Sequence, residues 1–435
     1  MSCFRGPKRT GTGSEPTDVN PRQNACREVP VPVFLGTLTR LLAACSVLGS
    51  LTITFPTTVR SAEEKPAPAA DQPTAKPPVA KPEAAEPPQA KPAPKKELSA
   101  AQTALRDRVR RTLAVQRQQT FNTRENTVAD VANFCLAFGC EAEVQDVARP
   151  GQKLNGITCL CWNVPCGGYE ALMVFEGHLA PRVGFGYQEA PSQIAAVLAL
   201  SRVPEEYPAR VGDTVRTVAD LLEHEKLTCR ADADLSRKLI ALSYYVKERS
   251  WKNSAGEEWS IERMAAHELE RPAANTPNAG IFRVLGLSCA LERQARLKAP
   301  VEGEWLKVKK YVQDSYDQAF RVQNADGSWG RATSRDVAGA LTATAPVLEW
   351  LAISLPAERL EEPQMQRSVE FVDSQLSSQR YRWNVQSLSS REIGATMRAA
   401  HALVIYDQRV FQPADPPPAP AGEKPQKVAK ASGKR

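Results

Sequence analysis

The sequence is 435 residues long, and its 24% share of charged side chains is that of an ordinary globular protein, which excludes a chain disordered throughout. Its net charge of +7 comes from the ends: residues 1–62 contribute +4 and residues 413–435 contribute +3, while residues 99–412 hold 38 basic against 38 acidic side chains. A neutral central region lacks the basic face of a nucleic-acid binder, so no nucleic-acid partner is expected.

Residues 41–55, LLAACSVLGSLTITF, form a charge-free apolar run preceded by Arg5, Lys8, Arg9, Arg22, Arg27 and Arg40 and stopped by Pro56. A spanning helix takes about 20 apolar residues, so this run reads as the apolar segment of an export signal. Small residues at Val59 and Ser61 place cleavage after Ser61 or Ala62; an uncleaved anchor is the alternative. Residues 1–62 are therefore assigned to a signal peptide or membrane anchor, and the chain to the periplasm or cell envelope, with membrane contact through this segment alone. Residues 63–98 are rich in Pro, Ala and Lys and read as an extended linker that buries no core. Residues 413–435 repeat that composition as a disordered basic tail.

Residues 99–412 alternate two kinds of helix. Nearly uncharged stretches begin near 127, 192, 235, 279, 337 and 393, spaced as helical hairpins repeat. Between them, 99–119, 213–226, 257–271, 301–323 and 363–379 carry an apolar stripe and a charged face. In the fourth, Trp305, Val308, Val312, Tyr316, Ala319 and Phe320 recur at helical spacing, opposite Lys307, Lys309, Lys310, Asp314 and Asp317. Uncharged helices must be buried and striped ones half exposed, which predicts an all-α fold of two concentric layers. An open solenoid is the alternative. A small β-rich insert is expected near 150–187, where ALMVFE, Gly177-His178 and LAPRVG read as a hairpin.

Gln323-Asn324-Ala325-Asp326-Gly327-Ser328-Trp329 resembles the Gln-x-x-x-Gly-x-Trp repeat of squalene and oxidosqualene cyclases and of the looser protein prenyltransferase repeats. The resemblance implies an α/α toroid over residues 99–412. Gly327 suits a tight turn, Trp329 offers a stacking face and Gln323 an amide for helix-end groups, so the motif reads as structural. The reactions of these families lack their motifs here. Asp232-Ala233-Asp234-Leu235 misses the last acid of the cyclase signature, no Asp-x-Cys zinc triplet occurs, and Cys166-Gly167-Gly168-Tyr169-Glu170 lacks the thioester Gln.

Cys159, Cys161 and Cys166 form the densest chemical cluster. In an oxidising compartment they predict a disulfide of Cys159 or Cys161 with Cys166; with His178 they make the alternative, a Cys3His zinc site. The cofactor is otherwise unknown, and zinc is not the favoured outcome. His224 and His267 read as solvated or capping groups, and His401 as a core histidine or one facing the ring lumen. Tyr244, Tyr245, Trp251 and Trp259 fit either a lumen lining or core.

In a ring of parallel helices the N-termini share one rim. There Asp336 and Glu392 are the candidate catalytic acid and base, and Arg335, Arg391 and Glu189 the candidate binding residues. Capping and the helix dipole account for acids at helix starts equally well. The expectation is an exported toroid of unassigned activity that binds a small molecule, glycan or envelope protein. A terpenoid cyclase or prenyltransferase-like enzyme and a carboxylate-dependent polysaccharide-active enzyme are the alternatives.

Overall fold

Ser99 starts the first helix because its hydroxyl accepts from Gln102 N while the Gln102 side chain accepts from Ser99 N, a reciprocal cap. A computed structural model describes residues 97–271, 279–330, 337–379 and 385–411. Residues 41–55, residues 63–96 of the expected linker and the tail 413–435 lie outside the described residues; Leu98, placed in that linker, packs against the core, and no described helix is long and apolar enough to cross a membrane.

In chain order the helices are α1 (Ala100–Arg117), α2 (Val128–Phe138), α3 (Gly156–Cys161), α4 (Gln193–Leu200), α5 (Val218–Leu227), α6 (Ser236–Tyr245), α7 (Ile261–Glu270) and α8 (Ala279–Arg296). They continue with α9 (Glu304–Arg321), α10 (Val337–Ser354), α11 (Ala357–Leu360), α12 (Pro363–Gln379) and α13 (Ser390–Val410). Helices dominate the described residues.

The low-charge helices are α2, α4, α6, α8, α10 and α13. Each packs on the next in chain order, and α13 packs on α2. Every residue of α2 is buried, as a helix without a polar face requires. Small residues set the spacing: a Cβ on Gly286 of α8 would stand 2.4 Å from the Ser236 carbonyl oxygen of α6, so the two backbones are in contact. The striped helices lie against this set, α1 on α12 and α13, α5 on α6, α7 on α6 and α8, α9 on α8, and α12 on α10 and α13. In α9 the residues Trp305, Val308, Val312, Tyr316 and Ala319 are buried, while Lys310 pairs with Asp314 across one exposed turn at 2.9 Å.

Among the described residues nine short strands make four small sheets. β1 (Phe121–Asn122), β2 (Glu143–Gln145) and β3 (Lys153–Asn155) form one, and three hairpins follow: β4 (Leu172–Phe175) with β5 (His178–Pro181), β6 (Pro208–Val211) with β7 (Thr214–Thr217), and β8 (Trp251–Lys252) with β9 (Glu258–Trp259). The first hairpin turns one residue earlier than expected. Phe175 faces His178, so Glu176 and Gly177 are the turn, both at positive φ of 50° and 83°, the geometry that matches strand twist. The expected β-rich insert also contains α3, capped by Asn155. The helix expected over 213–226 begins only at Val218, because Gly212 at φ 57° turns Thr214–Thr217, with β-branched Thr214, Val215 and Thr217, back onto Pro208–Val211.

Candidate functional site

The C-terminal halves of the six low-charge helices surround a cavity of about 1100 Å3. Its lining sorts by depth along the helices. Side chains one turn or more inside the helix ends include the apolar Ile240, Leu291, Val404 and Ile405 together with Ser288, Cys289 and His401. At the helix ends stand Arg202, Arg296 and Arg409, joined by Arg117 and Lys309 from α1 and α9 and by Glu141 and Glu292. From Arg409 down to His401 is eight residues of α13, about 12 Å at helical rise, so the cavity is a deep well with aliphatic and hydroxyl side chains in its wall and a mainly cationic mouth.

The mouth arginines answer the carbonyls that helix ends leave without partners. Arg296 donates to the Ser243 carbonyl at 2.8 Å. Arg409 donates to the carbonyls of Ala352, Ile353 and Leu355 at 2.7 to 2.8 Å. Arg117 pairs with Glu141 at 2.7 Å. Arg202 follows the last turn of α4 at φ 56°, a left-handed position usually left to glycine, and Arg202 and Lys309 form no ion pair with a described residue.

His401 stands at the floor. It is 3% exposed, and its Nδ1 lies 2.7 Å from Glu349 Oε1 of α10, so the ring nitrogen left for the cavity is Nε2. The other Glu349 oxygen pairs with Arg398, one turn earlier on α13. Burial by itself would raise the Glu349 carboxyl; Arg398 and His401 outweigh it and hold the group below its ordinary range. The result is an ionised carboxylate orienting an imidazole, a geometry that suits proton exchange or a hydrogen bond to a ligand. Histidine inside a low-charge helix was the sequence signal for this pair. Its carboxylate partner was hidden because Glu349 is 52 residues away on another helix.

The residues expected at the N-terminal rim are placed differently. Glu392 closes a reciprocal cap at the start of α13, accepting from Ser389 N at 2.8 Å and from Ser389 Oγ at 2.6 Å, which lowers its pKa. Glu189 donates its backbone N–H to Gln193 Oε1, and Arg391 is exposed. None of the three lines the cavity. Arg335 and Asp336 lie outside the described residues. Asp234 caps Ser236 N and pairs with Arg271, and Asp232 pairs with Arg230 at the surface. Of the aromatic group, Tyr244 lines the cavity, whereas Trp259 is fully buried under the Arg263 guanidinium.

The Gln323 motif joins three helices. Gln323 Nε2 donates to Gly327 O, to Gln364 O at 3.0 Å and to Ser368 Oγ at 2.6 Å. Trp329 Nε1 donates to Ala319 O at 2.8 Å, and Trp329 N to Thr344 Oγ1 at 3.1 Å. The motif therefore fastens the end of α9 to the first turns of α12 and to α10.

All seven described cysteines carry free thiols. Cys159 and Cys166 are in mutual hydrogen-bonding contact, which lowers the Cys159 thiol and, together with burial, raises that of Cys166. Burial pushes Cys161 up to about 12. His178 faces Asp220, Nδ1 to Oδ1 at 3.3 Å, and among the described residues no group of three or more His, Cys, Asp or Glu side chains could hold a metal ion. The Cys3His arrangement is therefore not assembled, because starting β5 at His178 turns the ring toward α5. No protein-family model, curated protein or solved structure matches the chain.

Proposed function

We propose that the chain is an exported α/α toroid whose lumen binds a ligand with an apolar body and an anionic group. The circular order of contacts, α2 to α4, α6, α8, α10, α13 and back to α2, supports the toroid. The Gln323 motif supports kinship with the squalene cyclase and prenyltransferase repeats, and residues 41–55 support export. The observation that carries the ligand reading is the cavity of about 1100 Å3 with Ile240, Leu291, Val404 and Ile405 in its wall, a cationic mouth and His401 at its floor. That volume is at the upper end for a small-molecule site. Arginine and lysine at the mouth favour an anionic end over a bare hydrocarbon.

Titration of the full chain with laurate by isothermal calorimetry tests this reading. Laurate is expected to bind more tightly than a neutral dodecyl glycoside, and to weaken as salt rises. Ile240→Trp, which narrows the well beside His401, is expected to weaken laurate while the helical circular dichroism is unchanged. Equal binding by wild type and Ile240→Trp would sink the proposal.

One observation favours a catalytic variant of the same reading: Glu349 orients His401 toward the cavity as an orienting carboxylate serves a general base. A cyclase-type reaction is supported less. It needs a protonated acid against the cavity wall, and Glu349, buried behind His401, is held in its ionised form.

A further inference from the structure

One helical turn N-terminal of His401 and Ile240, about 5 Å along the axes, two arginines meet one aromatic ring. The guanidinium carbon of Arg237 on α6 lies 3.9 Å from the centroid of Phe282 on α8, and that of Arg398 on α13 lies 4.8 Å from the same centroid. Arg398 is paired with Glu349. Arg237 is largely withdrawn from water, yet it forms no hydrogen bond or ion pair with any described residue. None of the carboxylates that act on it pairs with it: Asp234 is engaged with Ser236 N and Arg271, Glu349 with Arg398 and His401, and Glu189 attracts it without forming an ion pair. A ring face attracts a guanidinium but satisfies none of its five donors. A half-buried charge without an acceptor is costly unless something arrives to pair it. Its environment registers that cost: burial first, then the like charge of Arg398, bring Arg237 down to about 10.

We propose that Arg237, with Arg398 and Phe282, forms an oxyanion site for a phosphate or carboxylate group, separate from the cavity at the helix C-termini. Three features favour an oxyanion. Guanidinium forks match the paired oxygens of both groups. Arg237 lies in the first turn of α6 and Phe282 in the first turns of α8, where helix dipoles add positive potential. Both guanidinium groups lie against the Phe282 ring and the charge of Arg398 acts on Arg237, a repulsion that a bound anion relieves.

The experiment follows the thermal midpoint of the full chain in rising inorganic phosphate, and separately in succinate, each against sodium chloride at equal ionic strength. Phosphate, succinate or both are expected to raise the midpoint saturably above the chloride control, and the stronger probe identifies the group. Arg237→Met keeps the packing on Phe282 and removes the charge. It is expected to abolish the anion response and to melt no lower than wild type without anion. Arg237→Lys keeps the charge without the fork, and its apparent affinity is expected to fall at least fivefold. A wild type with no response beyond chloride, or an Arg237→Met variant that responds like wild type, would overturn the proposal. So would an Arg237→Met variant that melts well below wild type and keeps the response, since Arg237 would then be a packing residue. Ile240→Trp is expected to weaken laurate binding and keep the anion response, so failure of the cavity reading and failure of this one are distinguishable.

Discussion

Replacing Gly327 by alanine places a methyl group where the backbone of α12 already stands. The new Cβ would lie 2.4 Å from the carbonyl carbon and oxygen of Arg367 and 2.7 Å from Ser368 N. Gly327 also has φ of +89°, a conformation alanine resists. A helix backbone cannot swing aside as a side chain can, so relief requires moving the turn away from α12. That movement strains the bonds from Gln323 to Gln364 O and Ser368 Oγ. The left-handed backbone costs alanine about 1–2 kcal/mol, and overpacking adds about 1–3 kcal/mol, giving about 3 kcal/mol in all. At about 2–4 °C per kcal/mol for a folded region of this size, the midpoint should fall by on the order of 6–12 °C. Gly280→Ala is the matched control: it lies in α8 with nothing within 4 Å of the new Cβ, and helix propensity predicts a gain of about 0.5–1 kcal/mol. Thermal unfolding of the full chain by far-ultraviolet circular dichroism compares them. A Gly327→Ala midpoint within a degree of wild type would refute the wedge of this turn against α12. Parallel shifts of both variants would show that glycine entropy, not local geometry, governs the response.

Gly286→Ala should lower stability by roughly 1–3 kcal/mol despite its better helix propensity, because its Cβ meets the α6 backbone; the urea midpoint reads the change. Glu349 has a folded pKa below its ordinary 4.5, so the unfolded chain takes up the proton first. The stability it contributes is complete above about pH 5 and is lost as pH falls through the lowered folded value. Glu349→Gln should therefore flatten the acid side of the stability profile, and should cost roughly 3 kcal/mol at pH 7 by leaving Arg398 without its charged partner; urea midpoints at neutral and acid pH check both. Glu392→Ala should cost only about 1 kcal/mol, through loss of the cap on α13, and leave laurate binding unchanged; lost binding with an unchanged midpoint would restore Glu392 to the site. Protein exposed to an oxidising glutathione buffer should form a Cys159–Cys166 disulfide, the pair already in contact, and intact-mass analysis finding all thiols free would reject it.

The sequence by itself determined the local layer of this protein. The change between low-charge and striped segments located the six buried helices to within a few residues, because a helix with no polar face has nowhere to lie but inside. Gln323, Gly327 and Trp329 were legible as a fastening for the same reason: amide, bare Cα and indole are what a tight helix junction uses. Hairpin details were less legible, since Thr214–Thr217 fit a strand as well as a first helical turn, and only pairing with Pro208–Val211 decided between them. Beyond His401 and Tyr244, which the sequence offered for a lumen, the site was decided by tertiary structure. Shared helix direction suggested that acids and arginines would converge at the N-terminal rim, but which end of the helix set leaves room depends on side-chain volumes from all six helices. Ala137, Ile240 and Val404 leave a well at the C-terminal end, while Arg237, Phe282 and Arg398 occupy the other. Glu349 and His401, like Arg237 and Phe282, stand on different helices, and pattern within one segment carries no record of such pairs.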